Sequence, residues 1–241
     1  MTTELPGAFA AHLSWTELER RVQPTTVAVL PIAAAFKEHG PHLPMQTDLL
    51  QAEWLARQLA QRADVLVWPT VTYGYYPAFT EYPGVSLSRE TFQRMVREVL
   101  GDIQRTGVHS VLILNTGIST IEPLQAVADM LSNEWLVTLA NVYDGPCYRK
   151  KAEAIEEQTS GGHADELETS IILAIDRDYV SLDKAVAWTP AAMSTSGPFS
   201  RDQHKPRYSP EGVWGDPTLA SEAKGRQLLD AMIEDLLALI E

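Results

Sequence analysis

Apolar residues along the chain follow two alternating rhythms. Short runs rich in β-branched residues occupy 27–32 (VAVLPI), 64–71 (DVLVWPTV), 110–115 (SVLILN) and 136–142, and read as buried strands. Between and after them, apolar residues recur at helical spacing. Leu49, Leu50, Trp54, Leu55 and Leu59 predict an amphipathic helix over 48–61. Further helices are predicted over 90–105, 121–133, 167–176 and 221–240, the first of these opened by Ser88 as N-cap and stopped at Gly107. Strands alternating with helices imply an α/β fold, a mostly parallel sheet covered on both faces. In such sheets ligands bind beyond the carboxyl ends of the strands. A polar cluster just after an apolar strand therefore carries more weight than one elsewhere.

Two stretches lack either rhythm. Residues 72–87 hold Tyr73, Tyr75, Tyr76, Phe79 and Tyr82, and 190–217 is rich in Pro, Ser and Gly. Loops of this length in compact domains often cover a site. Neither reads as a linker, so residues 1–241 are expected to form one domain.

Charge narrows the function classes. With 19 Lys and Arg against 32 Asp and Glu, the net charge is −13, which argues against nucleic-acid binding and against a polybasic membrane anchor. The absence of a basic start, a leader-like apolar run and any stretch near 20 apolar residues points to a cytoplasmic protein. One cysteine, Cys147, excludes an intrachain disulfide and reads as a buried structural thiol. Neither a phosphate-binding glycine loop nor a GxSxG elbow is present.

The candidate chemistry clusters in two places. Lys37-Glu38-His39-Gly40-Pro41-His42-Leu43-Pro44 follows the first strong strand, and Asp48 opens the next helix. Two imidazoles and a carboxylate on a loop stiffened by two prolines can converge on a cation. The second cluster, Gly161-Gly162-His163-Ala164-Asp165-Glu166-Leu167-Glu168-Thr169-Ser170, joins a turn to a helix start. Helix-dipole preference alone accounts for Asp165 and Glu166 there. His163 and Glu168 reach one site if the helix begins between them.

Four blocks in order carry a resemblance to the creatininase (creatinine amidohydrolase) family. They are the strand with His39-Gly40-Pro41-His42-Leu43-Pro44 and Asp48; Tyr82-Pro83-Gly84-Val85-Ser86-Leu87; His163-Ala164 through Glu168-Thr169-Ser170; and Gly212-Val213-Trp214-Gly215-Asp216-Pro217 with Lys224-Gly225-Arg226. The resemblance implies a three-layer α/β fold, a homo-oligomer (commonly a hexamer), and one or two divalent metals, zinc or manganese. It implies hydrolysis of a C–N bond in a small cyclic amide or a formamide. Carried over by position, His39, Asp48 and Glu168 are the expected metal ligands, and His163 the proton carrier. His42, Tyr75 and Tyr76, with Phe79, are expected to face the substrate.

Two positions depart from the family pattern. Lys37 stands where the first ligand glutamate is expected, with Glu38 one place off as a possible replacement ligand. Gly117, in Asn115-Thr116-Gly117-Ile118-Ser119-Thr120, stands where a ligand histidine is expected, and Ser119 where some members carry a further glutamate. The missing ligands serve one metal of the pair. The expectation is one metal per chain, with the Lys37 ammonium standing in electrostatically for the other and stabilising a developing oxyanion. Two alternatives stay open. One is a hydrolase of a sugar- or polyol-derived ring, a ketone or lactone. The other is a silent binding protein on the same fold.

Overall fold

The computed structural model describes residues 6–132, 135–189 and 197–240. Five strands form one sheet: β1 (Ala8–Phe9), β2 (Val27–Ile32), β3 (Val65–Val67), β4 (Ser110–Asn115) and β5 (Leu136–Asn141). Their order is β1-β3-β2-β4-β5, and every pairing is parallel. Crossover helices α2 (Thr47–Arg62), α3 (Arg89–Arg105) and α4 (Ile121–Leu131) link the strands from β2 onward. Three more helices occupy one face or edge: α5 (Pro146–Ile155), α6 (Glu166–Ile175) and α7 (Glu222–Ala238); a short α1 (Trp15–Arg21) precedes β2.

The period-2 alternation of β2 and β4 sorts the two cores. Val29, Leu112 and Leu114 face α2, α5, α6 and α7 through Leu55, Tyr148, Ile171 and Leu228. Ala28, Leu30, Ile32, Val111 and Ile113 face α3 and α4 through Phe92, Val96, Leu100 and Leu124. The result is the three-layer α/β arrangement expected from the alternation. Close helix packing has one evident sequence cause. Gly225 of α7 lies against the Ser170 carbonyl of α6, and a Cβ there would overlap it.

Chain order reverses around β2. The chain leaves β2 to build β3 on one side, then crosses over to build β4 on the other. A crevice opens beyond the carboxyl ends of β2 and β4 at this switch, the expected place for a ligand in an open parallel sheet.

The sequence reading needs several corrections. The expected 64–71 strand keeps ladder pairing only over Val65–Val67, because Pro69 interrupts it; Val71 rejoins as an isolated bridge to Ile32. α1, β1 and α5 carry no strong periodicity and were not expected. Ser88 and Ser221 do cap α3 and α7, accepting from Thr91 and Lys224 backbone N–H groups, and Gly107 adopts φ +99° after α3. The last residue of the expected 121–133 helix, and 190–196 of the late loop, lie outside the described residues. Cys147 is partly exposed rather than buried. Asp235 and Glu234 push its thiol up to about 11, which makes it a poor nucleophile.

Candidate metal centre and substrate cavity

The segment after β2 is pinned before it reaches the site. The Ala33 and Ala35 N–H groups donate to Val71 and Thr72 carbonyls, and the Lys37 N–H to Met45. This turns Lys37, Glu38 and His39 inward, and all three are buried. Asp48 enters from the first turn of α2 and is also buried.

These side chains form one connected cluster. Lys37 Nζ lies 2.8 Å from Asp48 Oδ2, and His39 Nε2 lies 3.0 Å from Asp48 Oδ1. Glu168, in the first turn of α6, brings Oε1 to 3.7 Å from His39 Nε2. His163 Nε2 lies 3.1 Å from Glu38 Oε2, and its Nδ1 3.9 Å from Glu168 Oε2. His39, His163 and Glu168 each offer a ligand atom within 4.8 Å of the others.

The rest of the fold holds this cluster in place. Asp165 caps α6, accepting from Leu167 and Glu168 N–H groups at 3.0 Å. Ala164 takes φ +49°, an unfavourable value for a residue with a Cβ, and so aims its N–H at Glu168 Oε2 at 2.7 Å. Trp214 pairs with His163 as an antiparallel bridge. Gly212, at φ +74°, lies so close to the Glu38 carboxylate that any Cβ there would overlap it. The first, third and fourth sequence blocks thus meet around Glu38 and His163.

Burial works against charge in the cluster, and neighbours reverse it. Lys37 loses solvation, but Asp48, Glu168 and Glu38 hold its ammonium above the usual lysine range. Asp48 is likewise desolvated, but Lys37 and His39 hold its carboxyl well below the usual range. Glu38 is lowered against its own burial, mainly by His163. Desolvation instead dominates at Asp165, raised to about 6.

The hydrogen bonding around His39 tests whether a cation fits. His39 Nδ1 lies 2.9 Å from the Lys37 carbonyl, which can only accept, so Nδ1 carries the hydrogen. In the neutral ring Nε2 then presents a lone pair, yet it faces Asp48 Oδ1 and Glu168 Oε1. A lone pair facing two carboxylate oxygens calls for a proton or a cation between them. Their 3.0 and 3.7 Å spacings bracket the ~3.3 Å separation between ligands of a tetrahedral zinc with ~2.0 Å bonds. Three carboxylates (Glu38, Asp48, Glu168) face one ammonium (Lys37), leaving two negative charges, which one divalent cation would balance. The residues present fit such an ion.

Beside the cluster opens a cavity of about 440 Å³, a size suited to a small molecule. Lys37, Asp48, His163 and Glu168 form its floor, while Tyr76, Phe79, Phe199 and Trp214 contribute aromatic walls. Phe79 lies 4.1 Å from the His163 ring and 5.3 Å from Phe199, centroid to centroid. Lys37 Nζ lies 5.2 Å from the Phe79 ring and 5.6 Å from that of Tyr76.

Two expected substrate contacts are not on this surface. His42 is buried behind it, its Nε2 2.8 Å from Thr169 Oγ1, where it braces α6. Tyr75 packs against the α3–α4 core instead of the cavity. Glu166, explained from sequence by helix-dipole preference alone, is fully buried and accepts from the Glu157 and Gln158 N–H groups and from Lys224. Phe199 and Arg207 line the cavity without having been singled out. Both lie in the late loop, and its length was the only available signal.

The loop after β4 contains none of these acids or imidazoles. Asn115 Oδ1 accepts from the Gly117 N–H and from Thr120 Oγ1, and Asn115 Nδ2 donates to the Gly117 carbonyl at 2.7 Å. A Cβ at Gly117 would meet Thr120 Oγ1 at 2.7 Å. A side chain at the place of the expected histidine would displace the Thr120 hydroxyl from this turn.

The family model for creatininase (creatinine amidohydrolase) matches residues 11–240. The chain belongs to the creatininase family. Creatinine amidohydrolase of Pseudomonas putida is 24% identical over 95% of each protein. The mycofactocin precursor peptide peptidase of Mycolicibacterium smegmatis is 27% identical over 94% of this chain and 89% of its own length. The 3-dehydro-scyllo-inosose hydrolase of Thermotoga maritima is 24% identical over 97% of this chain and 83% of its own length. A solved mutant creatininase of Zn–Zn type superposes with a TM-score of 0.82 at 24% identity, covering 97% of both chains. These creatininase-family relatives are hydrolases, and by family this chain is a hydrolase-type enzyme. None of its described helices is long and apolar enough to cross a membrane.

Proposed function

We propose that this protein hydrolyses a C–N (amide) bond in a small cyclic substrate, using one divalent cation per chain, zinc or manganese. The observation that carries this reading is the approach of both Asp48 Oδ1 and Glu168 Oε1 to His39 Nε2 beside a small-molecule cavity. These three residues would hold the ion; the set whose ligand atoms all lie within 4.8 Å of one another is His39, His163 and Glu168, with Asp48 paired to Lys37. Glu38 is turned away to accept from His163 and Gly40, and serves as that histidine's partner rather than as a ligand. When bound, the ion supplies Lewis acidity for the carbonyl and a more acidic water.

The chain's own groups do the rest. The Lys37 ammonium faces the cavity from beside Asp48, placed to stabilise negative charge developing on the amide oxygen. His163, oriented by Glu38, carries a proton to the departing nitrogen. Tyr76 and Phe79 flank Lys37 and exclude water from it. Likeness to the Pseudomonas enzyme supports an amide substrate.

The likeness to the inosose hydrolase supports a second reading, opening of a sugar- or polyol-derived ring at the same centre. Retention of the buried His39, Asp48 and His163 with the partly exposed Glu168 speaks against a silent binding protein. The test is a turnover screen of cyclic amides, formamides and polyol-derived ketones with protein as purified, chelator-treated and reloaded with zinc or manganese. Amide cleavage lost to chelator and restored by metal is expected. Turnover of the ketones alone selects the second reading, and unchanged turnover after metal removal contradicts both. A homo-oligomer, by resemblance a hexamer, is proposed and is checked by light scattering.

A further inference from the structure

Two cations line the cavity, and only one of them is paired. Lys37 is bound to Asp48. Arg207, at the other end, has no carboxylate within ion-pair distance among the described residues. Its guanidinium lies flat against Phe199, 3.9 Å from the ring centroid, and its Nη1 donates to the Gly197 carbonyl at 2.8 Å. Its Nε is buried and finds no partner among the described residues. A guanidinium has five N–H donors arranged to grip a planar anion by two of them. Beyond its bond to Gly197 the guanidinium has no acceptor among the described residues, and the side chain lines the cavity, where a ligand can supply one.

The surroundings sharpen this. The chain carries a net charge of −13, and Asp48, Glu156, Asp165 and Glu168 also line the cavity. Away from the chemical centre with Lys37, an anionic group would be repelled by these carboxylates and accepted near Arg207. Phe199 separates Arg207 from the chemical centre, its ring lying 6.3 Å from that of His163. The spacing fits a small molecule held at both ends.

We propose that Arg207 is a specificity residue that binds a carboxylate on the substrate, one aromatic ring's breadth from the bond that is cleaved. The substrate class then narrows from amides in general to amides bearing a carboxylate. This rests on the reading that the cavity is the substrate site.

The probes are matched pairs that differ only in charge: 5-oxoproline with its carboxamide, and N-formylglycine with its carboxamide. Binding to the metal-loaded protein is measured by calorimetry, and turnover is followed separately. At least one carboxylate is expected to bind about tenfold or more tightly than its carboxamide. Arg207→Gln should erase that preference, and Arg207→Lys should restore part of it. A carboxylate preference that survives in Arg207→Gln would mean that the metal or Lys37 holds the anion, and would overturn the proposal. So would equal or absent binding of both members of every pair by the wild type, a result that needs no variant to fold. A preference that depends on Arg207 without any turnover would sustain this inference and count against the hydrolase reading instead.

Discussion

Two loops leave the carboxyl ends of neighbouring central strands and face the same cavity, yet they differ in almost every respect. The loop after β2, with the start of α2, packs an ammonium, two carboxylates and an imidazole into one buried network. The loop after β4 spends its polar atoms on itself, with Asn115, Gly117 and Thr120 closing a turn that offers only Ile118 and Ser119 beside Thr116 to the cavity. In a site arranged for two cations both loops would present ligands. Here the β4 loop closes on itself, and the β2 loop carries a cation of its own in Lys37. On the one-metal proposal, a covalently attached charge stands where a second ion would otherwise be held.

The comparison is broken most severely at Asp48, where the β2 loop is held together. Asp48→Asn strips Lys37 of its counter-charge and His39 of its partner. A loss of about 3–5 kcal/mol is expected, as for removal of one partner from a buried ion pair, together with activity and metal. Denaturant titration and metal analysis check this. A variant of wild-type stability would show that the cluster is not structurally coupled.

Lys37→Ala tests the stand-in role. Activity is expected to fall about a hundredfold or more while most of the metal is retained, as for loss of one preorganised oxyanion donor. Full activity in that variant would contradict the role.

His42 gives a pH signature for the bracing behind the site. Burial holds its imidazole at about 4, below the ordinary 6.5. The unfolded chain therefore takes up its proton first as pH falls. Its contribution is complete above about pH 6.5 and is lost as pH drops toward 4, by roughly 2–3 kcal/mol. Asp165, raised to about 6, titrates with the opposite sign below that pH. The His42 share is therefore read as the difference between wild type and His42→Gln, unfolded at pH 7 and pH 5. Equal pH dependence in the two proteins would remove His42 from the account.

The smallest effect belongs to the β4 loop. Ser119→Ala should change kcat/KM by less than about threefold, since Ser119 touches no member of the cluster. A larger loss would restore a chemical role to that loop.

The layered fold was legible because β2, β4 and their crossover helices bury one apolar face each, and such faces repeat with a fixed period. β1 and α5 escaped because they are short or lie at an edge, where packing rather than pattern decides. Within the site, Lys37, His39 and Asp48 stood out by residue type and by position after a strand, and His163 and Glu168 by residue type at a helix start. What the sequence concealed was direction. His42 and Tyr75 sit beside true cavity residues in the chain, but a loop has no fixed period to say which side chain turns inward. Phe199 and Arg207 reach the cavity from a segment whose sequence offers no spacing rule. Lys37 shows the opposite case, a departure from the family pattern that the Asp48 ion pair turns into a positive feature.

The central claim is a single cation held by the β2 and α6 side of the site, with Lys37 filling the other position. The most direct measurement is the number of zinc or manganese ions bound per chain, by elemental analysis after saturation and removal of free metal. The account predicts one in the wild type and close to one in Lys37→Ala. Two ions in the wild type, or none after loading, would contradict it.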